Sequence, residues 1–393
     1  MTIYIIFYAF IISLYFLIAA FDFNFSSIIV KRNVFPNGLR TAQYTREDKW
    51  KNDKKWYMII CMGALILIMG LRADHMGIDL LNAYNPGYLL SFEKIAGMSW
   101  HEVITMPEFL NYEKGFVIFN KLVSSIFTDR HFFLFVCAVL CFAPVGLEIY
   151  RYSENVLLSF LVFLGLPPFI LSFSGLRQSI AIGMTMYALG MVRKKKPIQF
   201  VLIVLLAATF HSSAAVFLIV YPAYYIRLSK KASLISLLLL PLIYNLRVQI
   251  FTFLTELAYG RTYNRETDAG GLFVIFIAIY LFCHIYGNRD NKETNGLMNI
   301  FWVACAIQSM ADLYPIITRM AYYFMMALIC LLPQVYEDMK ETSPDWQRRL
   351  LIFLIGVSFI MTGLLQIMNT DWAVSYPYVP FWEYVPGYVP RLH

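Results

Sequence analysis

Four cationic or titratable side chains stand apart in this sequence because each lies at the end of a long apolar run or between two such runs. They are Arg72, Arg177, His211 and Arg319. A charge held close to hydrocarbon is costly, so such residues usually face a bundle interior or a wet cavity and act there. The planar fork of arginine fits phosphate oxygens, and a neutral imidazole suits a general base near neutral pH. These side chains therefore predict a site that binds a phosphorylated ligand and accepts a proton.

Each of these residues also has a simpler interpretation. A single arginine at the end of a span usually extends its head group to the interface, and His211 alone would serve equally well to cap or pack a helical hairpin. Their convergence favours function. Two acidic residues join them: Asp79 follows Arg72 by seven positions, and Glu113 precedes the apolar stretch from Gly115 to Phe127. Either acid is an alternative base or a group that orients a sugar.

The composition places these residues in a membrane protein. Of 393 residues, 59% are hydrophobic, 17% aromatic and only 15% charged, and the mean hydropathy is +0.60. A soluble domain of this size needs more polar surface. The formal charge of +7 does not indicate nucleic acid binding, because the basic residues lie between apolar runs rather than on one folded face. The six cysteines lie inside apolar stretches without metal-ligand spacing, which is typical of small buried hydrophobes.

The apolar runs predict a single all-α polytopic domain, residues 1–393, with about 12 transmembrane helices. The predicted spans are 3–20, 56–71, 131–149, 156–171, 177–192, 198–210, 212–226, 232–246, 271–286, 297–313, 318–335 and 349–367. The stretch from Gly115 to Phe127 is too short to cross and carries Lys121 in its middle. We predict that it forms a re-entrant or interfacial helix.

Lysine and arginine in the short loops set the orientation of such a protein. With the basic loop 31–55 in the cytoplasm, the cytoplasmic loops hold 21 of the 32 basic residues, and both termini are external. The loop 72–130, with its short helix, is then external. So is the aromatic and proline-rich tail 368–393, which we interpret as an interfacial belt, with a sugar-stacking surface as the alternative. The candidate site falls on the external face.

Short motifs in the sequence resemble those of the EpsG family of exopolysaccharide proteins, which is related to the Wzy polymerases of O antigen and capsule. In chain order they are Gly70-Leu71-Arg72, Gly77-Ile78-Asp79 with Tyr84, Tyr112-Glu113-Lys114-Gly115-Phe116, Leu176-Arg177-Gln178-Ser179-Ile180-Ala181, Ala207-Ala208-Thr209-Phe210-His211-Ser212-Ser213, and Arg319 with Tyr322, Tyr323 and Phe324. The resemblance runs in order over residues 56–335. In the first motif the acidic and tyrosine positions are spread over Asp74, Asp79 and Tyr84.

The resemblance implies a polymerase of lipid-linked oligosaccharide repeat units in a bacterial plasma (inner) membrane, with a fold akin to the GT-C membrane glycosyltransferases. Arg72, Arg177 and Arg319 would bind the departing polyprenyl diphosphate, with Gln178, Tyr84 and Tyr323 as further substrate contacts. His211, or else Asp79 or Glu113, would accept the proton of the acceptor hydroxyl. No metal or other cofactor is expected. Expected partners are the lipid-linked donor and acceptor, membrane lipid, and a chain-length regulator and flippase of the same pathway.

Two other classes of function stay open. A flippase of lipid-linked sugars would also use cations in a bundle, but we expect it to carry charges along the whole path and to show internal repeats. The sequence shows no convincing repeat, and the cytoplasmic halves of its predicted spans are poor in charge. An O-antigen ligase would differ only in its acceptor. A membrane acyltransferase needs a histidine paired with an aspartate on a span, which the remaining histidines do not supply.

Overall fold

The computed structural model describes residues 1–20, 46–81, 87–106, 112–259, 270–369 and 371–383. Within these ranges every regular element is a helix, which confirms the predicted all-α class. The helices are α1 (Thr2–Ala20), α2 (Arg46–Gly70), α3 (Tyr88–Gly97), α4 (Trp100–Thr105), α5 (Lys114–Ser124), α6 (Arg130–Tyr152), α7 (Val156–Gly165), α8 (Pro167–Ser174), α9 (Leu176–Arg193), α10 (Pro197–Ala208), α11 (Val220–Tyr225), α12 (Lys230–Asn245), α13 (Arg247–Tyr259), α14 (Gly270–Tyr286), α15 (Lys292–Gln308), α16 (Pro315–Met325), α17 (Leu328–Asp338) and α18 (Asp345–Asn369). The 3-10 helix Ser212–Ile219 leads into α11. Tyr84, most of the basic loop 31–55 and the last ten residues of the tail lie outside the described residues.

The outward faces of these helices are apolar, as an integral membrane protein requires. Ile198, Leu202, Leu238 and Phe353 are each at least 60% exposed, and such large side chains on the surface are compatible with lipid rather than water. Among the described residues, three helices are long and apolar enough to cross a bilayer, or six when each bent helix pair counts as one span. The chain is therefore an integral membrane protein, whereas the count of twelve spans and the GT-C likeness stay predictions.

Bends divide several of the predicted spans. The run 156–171 is not one helix but two, α7 and α8, which meet at an angle of 57°. Pro167 and Pro168 cause this break, because proline cannot continue the hydrogen bonds of α7 and forces the preceding residue, Leu166, into an extended conformation. The run 318–335 likewise spans α16 and α17, which are bent by 43°.

The helix α13 has no counterpart among the predicted spans. Arg247 and Glu256 interrupt its apolar run, so a search for uninterrupted apolar stretches passes over it. It follows α12 after a bend of 75°. The ion pair between Arg247 and Asp312, with 2.9 Å between Nε and Oδ2, ties its start to the end of α15.

A short helix does occur where the interfacial segment was predicted. Helix α5 has 11 residues, or about 16 Å, against a hydrocarbon layer of about 30 Å. Its two lysines cap other helices: Lys121 Nζ donates to the carbonyl of Ala96 at 3.1 Å, at the end of α3, and Lys114 Nζ donates to that of Met106 at 2.9 Å, just after α4. A cation at a helix C-terminus is favourable. These contacts join α3, α4 and α5 into one piece, the α3–α5 unit.

Candidate active site

The centre of the candidate site is an ion pair between helix α9 and the α3–α5 unit. Arg177, the second residue of α9, pairs through Nη1 with Oε2 of Glu113, the residue that precedes α5. Each of the two side chains is 20% exposed. The pair is therefore sheltered from bulk water and still accessible to a ligand.

Two stacked tyrosines orient the guanidinium of Arg177. The rings of Tyr88 and Tyr112 stack with 5.6 Å between their centroids, and the guanidinium carbon lies 4.6 Å from the Tyr112 centroid and 6.0 Å from the Tyr88 centroid. Arg177 Nε also donates to the Tyr88 hydroxyl at 3.4 Å. Cation–π contacts of this kind contribute roughly 0.5–1 kcal/mol each at exposed sites. Neither tyrosine is among the site residues predicted from the sequence. Tyr112 could have been predicted, because it precedes Glu113 in a motif that resembles the EpsG family. Tyr88 lies in none of the motifs, so nothing in the neighbouring sequence points to it.

The turn before the 3-10 helix brings His211 to the same carboxylate. The backbone N–H of Ser212 donates to Glu113 Oε1 at 2.9 Å, and His211 Nδ1 lies 3.4 Å from that oxygen, within ionic range but without hydrogen-bond geometry. His211 reaches Glu113 because the start of α5 packs closely against Thr209. A Cβ on Gly115 would lie only 2.1 Å from Thr209 Oγ1. Only glycine fits there. The structure thus brings together Arg177, Glu113 and His211, which are far apart in sequence.

These contacts keep Glu113 ionised. Partial burial raises the pKa of its carboxyl, but the contact with His211, the backbone N–H of Ser212 and the charge of Arg177 outweigh burial and lower the pKa to about 2. A carboxylate with so low a pKa is a poor proton acceptor near neutral pH. It is well suited to orient an imidazole and to hold a guanidinium in place.

A second set of contacts brings α16 to the site. Gln178 Nε2 donates to the backbone carbonyl of Arg319 at 2.8 Å, and the hydroxyls of Ser213 and Tyr323 lie 3.1 Å apart. Gln178 and Tyr323 are buried, whereas the Arg319 side chain is exposed. Within the described part of the chain Arg319 has no carboxylate partner. Its backbone is thus held next to Gln178, the neighbour of Arg177 in the chain, and its guanidinium is exposed.

Asp79 lies beside this site on the other flank. Its Oδ2 accepts a hydrogen bond from Ser174 Oγ at 2.8 Å, at the end of α8 and three residues before Arg177. Its backbone carbonyl accepts from the N–H of Tyr88 at 2.9 Å. Gly77 permits this approach: its φ is +120°, and a Cβ there would lie 2.0 Å from the carbonyl oxygen of Phe173.

Arg72 does not join Arg177 and Arg319. It is 1% exposed, and its donors bind backbone carbonyls: Nε binds Met76 at 3.2 Å, Nη1 binds Met69 at 2.6 Å, and Nη2 binds Phe173 at 3.2 Å. An arginine whose donors are occupied in this way holds the end of α2 against the end of α8. The Arg72 guanidinium is therefore buried at the junction of α2 and α8, with its donors on backbone carbonyls rather than on Glu113.

The remaining predicted contact, Tyr84, lies outside the described residues. Among the residues that the structure describes, no group of three or more His, Cys, Asp or Glu side chains has the arrangement of a metal site. The polar groups that converge at the site are cations, one histidine, two carboxylates and hydroxyls. Side chains of these types have the chemistry to bind an anion, to form hydrogen bonds with hydroxyl groups and to exchange a proton.

Comparison with known proteins identifies the family of the chain. The family model for EpsG matches residues 55–381, a range that includes every residue of the site described above. No curated protein and no solved structure matches the chain. The match covers most of the chain, and the residues that meet at Arg177, among them Glu113 and His211, lie within it. The chain therefore belongs to the EpsG family, a Wzy-type polymerase-like family whose general role is in the polymerisation of polysaccharide repeat units.

Proposed function

We propose that this protein polymerises polyprenyl-diphosphate-linked oligosaccharide repeat units on the external face of a bacterial plasma membrane. The observation that carries the proposal is the convergence of Arg177, Glu113 and His211, with Arg319 on the neighbouring helix. The products would be surface polysaccharides such as O antigen, capsule or exopolysaccharide. A chain-length regulator and a flippase of the same pathway are the partners that such a reaction calls for.

The two accessible arginines would bind the diphosphate of the donor. Arg319 has no carboxylate partner in the described structure. Arg177 is paired with Glu113, and an incoming diphosphate would compete with this carboxylate for the guanidinium. As the glycan leaves, negative charge grows on the diphosphate oxygen, and fixed cations at that point lower the barrier. In this proposal the arginines carry that charge without a divalent cation. We leave Arg72 out of the diphosphate site, because its donors already bind carbonyls.

His211 would be the general base, with Glu113 as the group that positions it. The acceptor hydroxyl oxygen forms a bond to the anomeric carbon of the donor glycan, and the bond from that carbon to the diphosphate breaks. The electron pair stays on the diphosphate, and the hydroxyl proton passes to His211. Glu113 stays ionised, since its pKa of about 2 is far below neutral. Asp79, held by Ser174, is the alternative base.

Gln178 and Tyr323 would contact the sugar. Both are buried beside the arginines, and the Tyr323 hydroxyl faces Ser213, two residues after His211. Hydroxyl and amide groups make the hydrogen bonds that sugar hydroxyls require. This arrangement supports an acceptor hydroxyl held next to the proposed base.

The decisive experiment is extension of a purified lipid-linked repeat unit by the purified protein in vitro. We expect Arg177→Ala to lower the rate of extension about 10²- to 10³-fold, as loss of one group that stabilises transition-state charge does elsewhere. Arg247→Ala is the matched control, because Arg247 also pairs with a carboxylate at similar exposure and lies 4.1 Å from a tyrosine ring. The control variant should extend the unit at nearly the normal rate.

Other outcomes would separate the alternative functions. Transport of the lipid-linked unit without extension would identify a flippase, and transfer to a lipid A core alone would identify a ligase. Equal rates for Arg177→Ala and Arg247→Ala would contradict the proposed site.

A further inference from the structure

An apolar slot opens where helices α7 and α8 bend away from α14 and α18. Its volume is about 420 Å³, within the range of pockets that bind small molecules. Among the side chains that line it are Pro167, Phe276, Ile279, Phe282, Leu354 and Phe359. The slot lies beside the junction at which α8 departs from α7 by 57°.

Small polar residues on α18 form one wall of the slot without offering it a hydrogen bond. Ser358, Thr362 and Gln366 recur every four residues and so lie on one face. The hydroxyls of Ser358 and Thr362 donate to carbonyls of their own helix at 2.8 Å each, and Gln366 Nε2 donates to the carbonyl of Gly165 at 2.9 Å. Because these donors are already used, a hydrocarbon enters the slot without leaving them unpaired.

The slot and the candidate site lie at opposite ends of one short helix. Pro167, on the rim of the slot, begins α8, and Ser174, the partner of Asp79, ends it. Eight helical residues span about 12 Å, and Arg177 follows three residues later. A lipid diphosphate needs a cationic place for its head and an apolar place for its tail. Because the polyprenyl chain starts at the diphosphate itself, its first few isoprene units would bridge the length of α8 and reach the slot.

We propose that this slot holds the first isoprene units of the polyprenyl tail whose diphosphate binds Arg177. The inference rests on the proposed function and adds to it a tail site made by α14 and α18. The competing occupant is the acyl chain of a bulk phospholipid, which would have no link to the cations at the far end of α8.

The test uses the purified full-length protein in vesicles of phosphatidylethanolamine and phosphatidylglycerol. The probe is a polyprenyl diphosphate that carries a photoreactive diazirine on its first isoprene units. After irradiation, peptides from α14 and α18 should carry the label, and unlabelled polyprenyl diphosphate should reduce that labelling at least fivefold. Ser358→Trp, which fills the slot, should reduce it at least fivefold too. Leu202→Trp, on the 60% exposed outward face of α10, is the control and should leave it unchanged.

Three results would overturn the tail site: equal labelling of α10, competition by added phospholipid alone, or undiminished labelling of Ser358→Trp. The competition experiment needs only the wild-type protein, and Ala278→Leu offers a milder filling of the slot if Ser358→Trp does not fold. Photolabelling reports binding of the probe and does not require the enzymatic reaction. If the labelling tests fail but the protein still extends the repeat unit, the tail site is wrong and the proposed function stands. If the labelling is as expected but no extension occurs, the tail site stands and the proposed function is wrong.

Discussion

The two ends of helix α9 each carry an arginine that pairs with glutamate, yet the two arginines lie in different surroundings. At the start, Arg177 and Glu113 are each 20% exposed. At the end, Arg193 and Glu148 are only 6% and 3% exposed. Arg193 also binds Glu293, with 2.7 Å between Nε and Oε1. One end of the helix is therefore open to a ligand, whereas the other is closed by the protein itself.

The closed end of α9 serves to pack helices together, in contrast to the open end. Arg193 is surrounded by two carboxylates and by the ring of Tyr152, whose centroid lies 4.2 Å away. Glu293 Oε2 in turn accepts from the Tyr224 hydroxyl at 2.5 Å. The closed cluster joins α6, α9, α11 and α15. Of these three charges only Glu148 lies in a predicted span, 131–149, whereas Arg193 and Glu293 fall in predicted loops and are nevertheless packed between helices. The cluster is packed and closed, so it does not support a transport path.

The largest expected effect is on stability at the closed end. Arg193→Ala leaves Glu148 buried without a partner, which typically costs about 3–5 kcal/mol. Arg177→Ala removes a partly exposed pair and should cost about 1 kcal/mol or less. Thermal unfolding in detergent, followed by tryptophan fluorescence, measures both. Equal loss of stability in the two variants would remove the distinction between the two ends.

The next largest effect is expected at the carboxylate of the open end. Glu113→Gln removes the charge that faces His211 and Arg177 but keeps the shape of the side chain, and it should lower the kcat of extension about 10²-fold, the lower range for general base catalysis. Because the proposed role is to position His211, the pH profile of kcat should change as well. Asp312→Asn, at the matched pair with Arg247, is the control. A variant with a normal kcat and an unchanged pH profile would assign Glu113 to packing alone.

The smallest effect concerns pH. Glu113 has a folded-state pKa of about 2, below its ordinary 4.5, so its contribution to docking of the α3–α5 unit is complete above about pH 4.5 and is lost as the pH falls towards 2. Among the described residues, Arg177, His211 and the hydroxyl of Tyr323 are charged or titratable groups that interact with it. The protection factor of the Phe116 amide, which is the intrinsic exchange rate at a given pH divided by the observed rate, should fall over that interval, because this N–H contacts the Thr209 carbonyl at 3.3 Å. Glu113→Gln should abolish this dependence; if the dependence persists in the variant, another group is responsible.

Much about this protein follows from residue type and order. Hydropathy alone determines that the chain is an all-helical membrane protein, because apolar runs are local features. The short motifs determined its family and singled out Arg177, Glu113 and His211. The proline pair at 167–168 also signals the bend between α7 and α8, although a search for apolar runs passes over it.

The choice among similar charges was decided by the tertiary structure. Arg72 and Arg177 look alike in sequence, but backbone carbonyls saturate the first, and a carboxylate 64 residues away faces the second. Tyr88 becomes part of the site because distant groups hold α3 in place: Lys121 binds the end of this helix, and the Asp79 carbonyl accepts from the Tyr88 N–H. The environment of a charge depends on which distant groups surround it and on how much water reaches it. Neither can be predicted from the residues next to it in the sequence. Residue type alone therefore shows that both ends of α9 carry a cation, and packing decides which of the two a ligand can reach.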